Sequence, residues 1–196
     1  KGYCRGEILL QTALLDLKFQ HYFKGLRHLR KAVRALEKNA EKYPDFKGNY
    51  KSLGLLHALA GTVPEQWRWG VRWLSGIEGN FELGMREMEN AMHSNPDRYI
   101  FLDEAAAVYA FALYHLKDRP EQSIKVLENL SISPDESPLV LYLQTNLYLK
   151  EGMTDKVIRL LEDKAYGENT YVLHHLDLLL GKAKLYRGDE DAERYL

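Results

Sequence analysis

Apolar residues recur along this chain at helical spacing from one end to the other. Over 6–19, Ile8, Leu9, Leu14, Leu15, Leu17 and Phe19 stand among good helix formers. Over 22–43, Leu26, Leu29, Val33 and Leu36 follow i, i+3, i+7, i+10, one face of an amphipathic helix, and Pro44 stands where a helix must stop. Further predicted helices cover 49–60, ended by Gly61-Thr62-Val63-Pro64; 65–74; and 81–93, closed by Ser94-Asn95-Pro96-Asp97. The later helices come in pairs: 99–117 with 121–130, 139–150 with 155–164, and 171–187 with a short final helix from near Asp191. Short connections make the members of each pair antiparallel neighbours. No clean alternating run exists, and the Val, Ile and Thr clusters that a sheet needs are missing. The expected fold is all-α, with ten or eleven helices.

One turn recurs between the paired segments. It reads Lys150-Glu151-Gly152-Met153-Thr154-Asp155, then Tyr186-Arg187-Gly188-Asp189-Glu190-Asp191, with a looser copy at Leu116-Lys117-Asp118-Arg119-Pro120-Glu121. The centres at 118, 152 and 188 lie 34 and 36 residues apart. A period in the mid-thirties predicts a tetratricopeptide-like right-handed superhelix of antiparallel helix pairs, which offers a concave binding surface. The expected layout is one helical-repeat domain over 1–196. Within it, 1–62 holds divergent N-terminal helices and 63–98 a degenerate repeat. Repeats of the regular kind cover 99–137, 138–170 and 171–196, the last truncated.

The repeat grammar has a physical cause. Two helices cross closely only where small residues stand, with larger ones around them. In the 138–170 unit, Leu141, Thr145, Tyr148, Val157 and Leu161 take these places, and in the last unit Leu180-Gly181 supplies the small crossing. Tyr114 and Leu127 fit the unit before, although Phe111 falls where a small residue is expected; Met88, Ala91 and Pro96 fit the second half of the degenerate one.

A more specific stretch runs Ser52-Leu53-Gly54-Leu55-Leu56-His57-Ala58-Leu59-Ala60-Gly61-Thr62-Val63-Pro64. It is followed by Trp73-Leu74-Ser75-Gly76-Ile77-Glu78-Gly79-Asn80-Phe81-Glu82-Leu83-Gly84-Met85. This resembles the family of tetratricopeptide repeat protein 39 and the inclusion-body clearance protein. Departures are Leu56, where an aromatic is common, and Ile77-Glu78 in place of an aromatic-small pair. The resemblance implies stacked helices used as an adaptor or scaffold, with roles tied to aggregate clearance and lipid homeostasis. It carries over no catalytic residues.

Composition narrows the function classes. With 45% hydrophobic and 28% charged residues and only 6 prolines, the chain builds a core and is not a disordered segment. A net charge of -1 disfavours a nucleic-acid partner. No run of 18 apolar residues exists, so no membrane span is expected. Cys4 alone allows no internal disulfide and fits cytoplasm or bacterial periplasm equally. The chain lacks an initiator Met and stops at Leu196 soon after the last turn, which reads as an excised or processed piece from which any targeting signal would already be gone. The apolar edge at Leu196 would be covered by further residues or by a second copy.

Candidate chemistry is sparse. His174 and Asp177 share a helix face, but His175 points about 100° away, and two ligands do not make a metal site. Glu89 and His93 at i, i+4 are a carboxylate–histidine pair whose plain reading is electrostatic support on a helix surface. No nucleophile motif or phosphate loop accompanies them. The expectation is no catalytic residues, no cofactor and no metal. Lys18, Lys24, Arg27, Arg30, Lys31, Arg34, Lys38 and Lys42 make the second helical region basic. Such a helix can lie on an anionic membrane or meet an acidic partner, and its plain reading is a solvated outer face.

The aromatic set leads further. Trp69 and Trp73 are i, i+4, Tyr142 and Asn146 are i, i+4, and His175, Leu178 and Lys182 repeat the logic one unit later. These positions predict a groove for a protein or peptide segment at Trp69, Trp73, Tyr142, Asn146, His175 and Lys182. For the tryptophans, core packing between repeats is the competing reading. Only Asn146 and Lys182 resemble a carboxylate clamp, so recognition of an acidic C-terminal peptide is not supported. The expected function is a non-enzymatic interaction or scaffold module; the alternative is a carrier or sensor of a lipid or other apolar molecule held between helices.

Overall fold

The structure, a computed structural model, describes residues 1–94, 101–162 and 173–196. Every regular element among them is helical. In chain order these are α1 (Gly2–Lys18), α2 (Tyr22–Lys42), α3 (Gly48–Gly61), α4 (Glu65–Ser75), α5 (Phe81–Met92), α6 (Leu102–His115), α7 (Pro120–Glu128), α8 (Pro138–Lys150), α9 (Thr154–Glu162) and α10 (His175–Arg187). The expected all-α class holds. Predicted bounds at 22–43, 65–74, 81–93 and 139–150 fall within one residue of the observed ones. The final helix expected near Asp191 is a single 3-10 turn, Ala192–Tyr195. The starts predicted at 99 and 171, the stop at 164, and residues 95–97 of the predicted α5 closure lie outside the described residues.

The three turn centres share one backbone state. Asp118, Gly152 and Gly188 all take left-handed φ, at 52°, 72° and 87°. At Gly152 and Gly188 the capping is of the Schellman kind: the amides of Met153 and Asp189 reach back to the carbonyls of Tyr148 and Lys184 at 2.9 and 3.0 Å. Glycine takes this conformation without a Cβ penalty, which explains why Gly stands at two of the three centres.

The chain divides into two compact units, Lys1–Asp118 and Arg119–Leu196. The predicted 99–117 and 121–130 pair is therefore shared between them.

In the first unit, α1 and α2 form a helical hairpin joined through Gln20 at a φ of 63°. Leu10 of α1 packs with Ala32, Val33 and Leu36 of α2, Leu53, Leu56 and Ala60 of α3, and Ile77 after α4. α3 lies at the centre and packs on α1, α2, α4, α5 and α6. Its buried positions include Gly48, Asn49, Lys51, Ser52, Leu53, Gly54, Leu56, Ala58 and Ala60, so it is enclosed on more than one side and shows no single apolar stripe. Burying Lys51 requires pairing. Its Nζ lies 2.9 Å from Glu7 and 2.7 Å from Glu104, while Ser52 Oγ donates to Glu7 at 2.6 Å. Burial pulls the Lys51 pKa down, but the two carboxylates outweigh it and the net direction is up.

α3 and α5 cross at backbone distance. A Cβ on Gly84 would stand 2.4 Å from both the Ala58 nitrogen and the Gly54 oxygen, and one on Gly54 would stand 2.7 Å from the Gly84 oxygen. Both glycines lie in the stretch 52–85, and small residues are what allow the approach.

In the second unit, α8 packs on α7, α9 and α10. Leu141, Thr145, Tyr148, Val157 and Leu161, assigned from repeat grammar, are all buried. Gln144 Nε2 donates to the Leu127 carbonyl at 2.9 Å, and Glu128 accepts from Tyr148 at 2.8 Å and Lys156 at 2.6 Å, tying α7, α8 and α9 together. Gly181 faces the C-terminal 3-10 turn, where a Cβ would meet Leu196 at 2.9 Å and Tyr195 at 3.0 Å.

Candidate functional site

α4 is a short helix fastened at both ends. Pro64 precedes it, and Gly76 closes it with φ 77°, its amide bonded to the Arg72 carbonyl at 2.9 Å. Arg68 reaches back to the carbonyls of Val63 at 2.9 Å and Gly61 at 3.2 Å. Ser75 and Ile77 anchor the far end in the interior. Between these anchors the tryptophans face solvent. Trp67, Trp69 and Trp73 are 65%, 71% and 70% exposed, and they are all the tryptophans in the chain. The core reading for Trp69 and Trp73 therefore fails. Sequence reasoning left out Trp67; it stands two residues before Trp69 in the same exposed run.

The other four residues of the set belong to the second unit. Tyr142 of α8 and His175 of α10 come together, with ring centroids 6.1 Å apart and planes at 81°, an edge-to-face pair. Tyr142 and Asn146 are half-buried, one helical turn apart, while His175 and Lys182 are exposed. Leu139 and Leu178 add exposed apolar surface on the same two helices. The set thus falls in two parts, one in each unit: exposed indoles on α4, and a mixed aromatic-polar face on α8 and α10.

The remaining candidates resolve otherwise. His93 Nδ1 contacts the Glu89 backbone carbonyl at 2.9 Å, and the Glu89 carboxylate instead hydrogen-bonds with Tyr109 of α6. The i, i+4 acid–base pair is therefore not formed. His174 and Asp177 lie 3.7 Å apart on the exposed surface. Among the described residues no cluster of three or more His, Cys, Asp or Glu side chains is placed to hold a metal. A shallow cleft of about 400 Å³ is lined by Lys42, Tyr43, Pro44, Asp45 and Phe46, consecutive residues that converge no catalytic set.

Two close carboxylate–histidine pairs escaped the sequence, Asp16–His28 within the α1–α2 hairpin and the more buried His57–Glu87. His57 Nδ1 of α3 lies 2.6 Å from Glu87 of α5, with both side chains about 15% exposed. The hydrogen bond to Glu87 raises the His57 pKa above its ordinary 6.5, burial opposes the shift, and the charges of Glu37 and Glu78 add to it. The two residues are thirty positions apart, and no local spacing signals them. The pair fastens the glycine crossing.

Comparison with protein-family models, curated proteins and solved structures finds no match to this chain. Among the described residues no helix is long and apolar enough to cross a membrane.

Proposed function

We propose that this chain is a non-enzymatic protein-interaction module that holds partner segments on exposed aromatic helix faces. One face is Trp69 and Trp73 of α4; the other is Tyr142, Asn146, His175 and Lys182 of α8 and α10. The exposure of every tryptophan on one anchored helix carries the reading. Tryptophan is among the residues most enriched at binding hot spots, and each offers about 150–250 Å² to cover. A helix fastened at both ends presents that surface at a reduced backbone ordering cost on binding.

The finer architecture belongs to the same proposal: a tetratricopeptide-like right-handed superhelix of antiparallel helix pairs. The 34- and 36-residue spacing and the repeated left-handed turn centres support it. So does the resemblance of 52–85 to the tetratricopeptide repeat protein 39 and inclusion-body clearance family, whose members imply an adaptor. Affinity capture from the source cell tests the function, using the wild-type chain, a Trp69→Ala/Trp73→Ala variant and a Tyr142→Ala/Asn146→Ala variant. Each folded variant is expected to lose a distinct subset of the proteins retained by wild type. Recovery of the same proteins by all three overturns the assignment.

A further inference from the structure

The charge of the chain is unevenly placed. Residues 1–36 hold eight cations (Lys1, Arg5, Lys18, Lys24, Arg27, Arg30, Lys31 and Arg34) against two acids, Glu7 and Asp16, a balance of +6. The whole chain stands at -1, so residues 37–196 stand at -7. Both acids of residues 1–36 are engaged: Glu7 with Lys51 at 2.9 Å, and Asp16 with His28 Nδ1 at 2.7 Å. No Asp or Glu stands between Asp16 and Glu37. On α2, the positions Lys24, Arg27, Arg30, Lys31 and Arg34 cluster on one side of the helix, and all five are exposed.

The same hairpin leaves apolar side chains uncovered. Ile8, Leu15 and Phe19 fall on one face of α1 at i, i+7, i+11, and all are more than half exposed. At the tip, Tyr22 and Phe23 join Phe19, and Phe23 is 92% exposed. At this end of the hairpin, exposed aromatics and aliphatics stand beside exposed cations.

We propose that the α1–α2 hairpin docks on an anionic membrane surface. The tip aromatics and the α1 stripe enter the headgroup boundary, and the α2 cations meet acidic lipid headgroups. Charge complementarity selects the occupant, since a hairpin of +6 on a chain of net -1 is drawn to a surface of fixed negative charge. Exposed Ile8 and Leu15 separate a bilayer from a nucleic acid, because aliphatic side chains have no base to stack on and no phosphate to meet. An exposed Phe23 enters a fluid phase without the complementary pocket that a protein partner would have to supply. The surface uses none of the residues assigned to the proposed interaction faces, so the inference stands independently of the proposed function.

Flotation with vesicles tests it. The full chain is mixed with vesicles of phosphatidylcholine alone or with about one-third phosphatidylserine, at low and at physiological salt. Wild type is expected to float only with the anionic vesicles and more weakly at the higher salt. A Lys24→Glu/Arg27→Glu/Lys31→Glu variant should lose more than about 100-fold in partitioning, from about fivefold per cation removed. Phe23→Ser should lose at least about tenfold. Trp69→Ala/Trp73→Ala should float as wild type while losing its protein partners. All substituted positions are exposed, and circular dichroism checks each variant; if one misfolds, the other hairpin variant decides. The proposal is overturned by absence of wild-type flotation, by equal flotation with both vesicle types, or by hairpin variants that float as wild type. Retardation of duplex DNA without vesicle flotation would reassign the surface to nucleic acid and equally overturn it.

Discussion

Replacing Gly84 by alanine tests the packing that organises the first unit. The new Cβ would sit 2.4 Å from backbone atoms of Ala58 and Gly54, about 1 Å inside ordinary contact. The obstructing atoms belong to α3, the most enclosed helix of the unit, so no flexible side chain can swing away. Inserting a methyl into a tight core costs about 1–3 kcal/mol when side chains can adjust, and a backbone clash falls at or above the upper end. Alanine returns about 1 kcal/mol of helix propensity. The net expectation is a loss of about 2–3 kcal/mol, a fall in Tm of about 4–12 °C for a chain of this size. Gly70→Ala is the matched control. It lies inside α4 with nothing within 4 Å of its Cβ, so only propensity acts, and Tm should rise by about 1–4 °C. Thermal melts followed at the helical circular-dichroism band read both variants. A Gly84→Ala variant as stable as wild type would refute the glycine crossing of α3 and α5.

Two further outcomes follow from the side chains. Iodide and acrylamide should quench tryptophan fluorescence as a single accessible population, because Trp67, Trp69 and Trp73 are all exposed; a quench-resistant fraction would contradict their placement. The His57–Glu87 pair should tie stability to pH. A histidine whose folded pKa is raised stabilises the fold fully below its unfolded value of about 6.5, and the contribution is lost as pH rises through the folded pKa. Tm should therefore fall in wild type as pH rises from about 6.5 through the raised folded pKa, and fall less in Glu87→Gln; equal slopes in the two proteins would remove the pair from the pH response.

The parts of the fold visible in the sequence were those with a local cause. α2 carries an uninterrupted apolar stripe, and its Val33 and Leu36 are buried as the spacing predicts. The left-handed centres at Asp118, Gly152 and Gly188 were marked by turn chemistry within a few residues. α3 was legible as a helix but not as the hub, because a helix buried on several sides has no polar face to reveal its orientation. In α4, Trp69 and Trp73 share one helix face at i, i+4 as a core stripe would, so periodicity alone did not say that this face is exposed. The exposed run Ile8, Leu14, Leu15 and Phe19 reads in sequence like a core face, and only the packing of α1 through Gly6, Leu10 and Ala13 shows the opposite. Pairs such as His57–Glu87 and Lys51–Glu104 depend on tertiary packing and leave no spacing to find.

Site-specific photo-crosslinking in source-cell extract tests the interaction reading most directly. A photoreactive phenylalanine analogue replaces Trp73 in one protein, Tyr142 in a second and the exposed Glu121 in a third, the last as control. Positions 73 and 142 are predicted to give discrete adducts with particular proteins, and position 121 none of these. The adduct at 73 should disappear when Trp69 is also replaced by alanine, since losing a hot-spot side chain costs about 2 kcal/mol or more, about thirtyfold in affinity. If positions 73 and 142 yield only the diffuse background seen at 121, the aromatic faces are not binding surfaces.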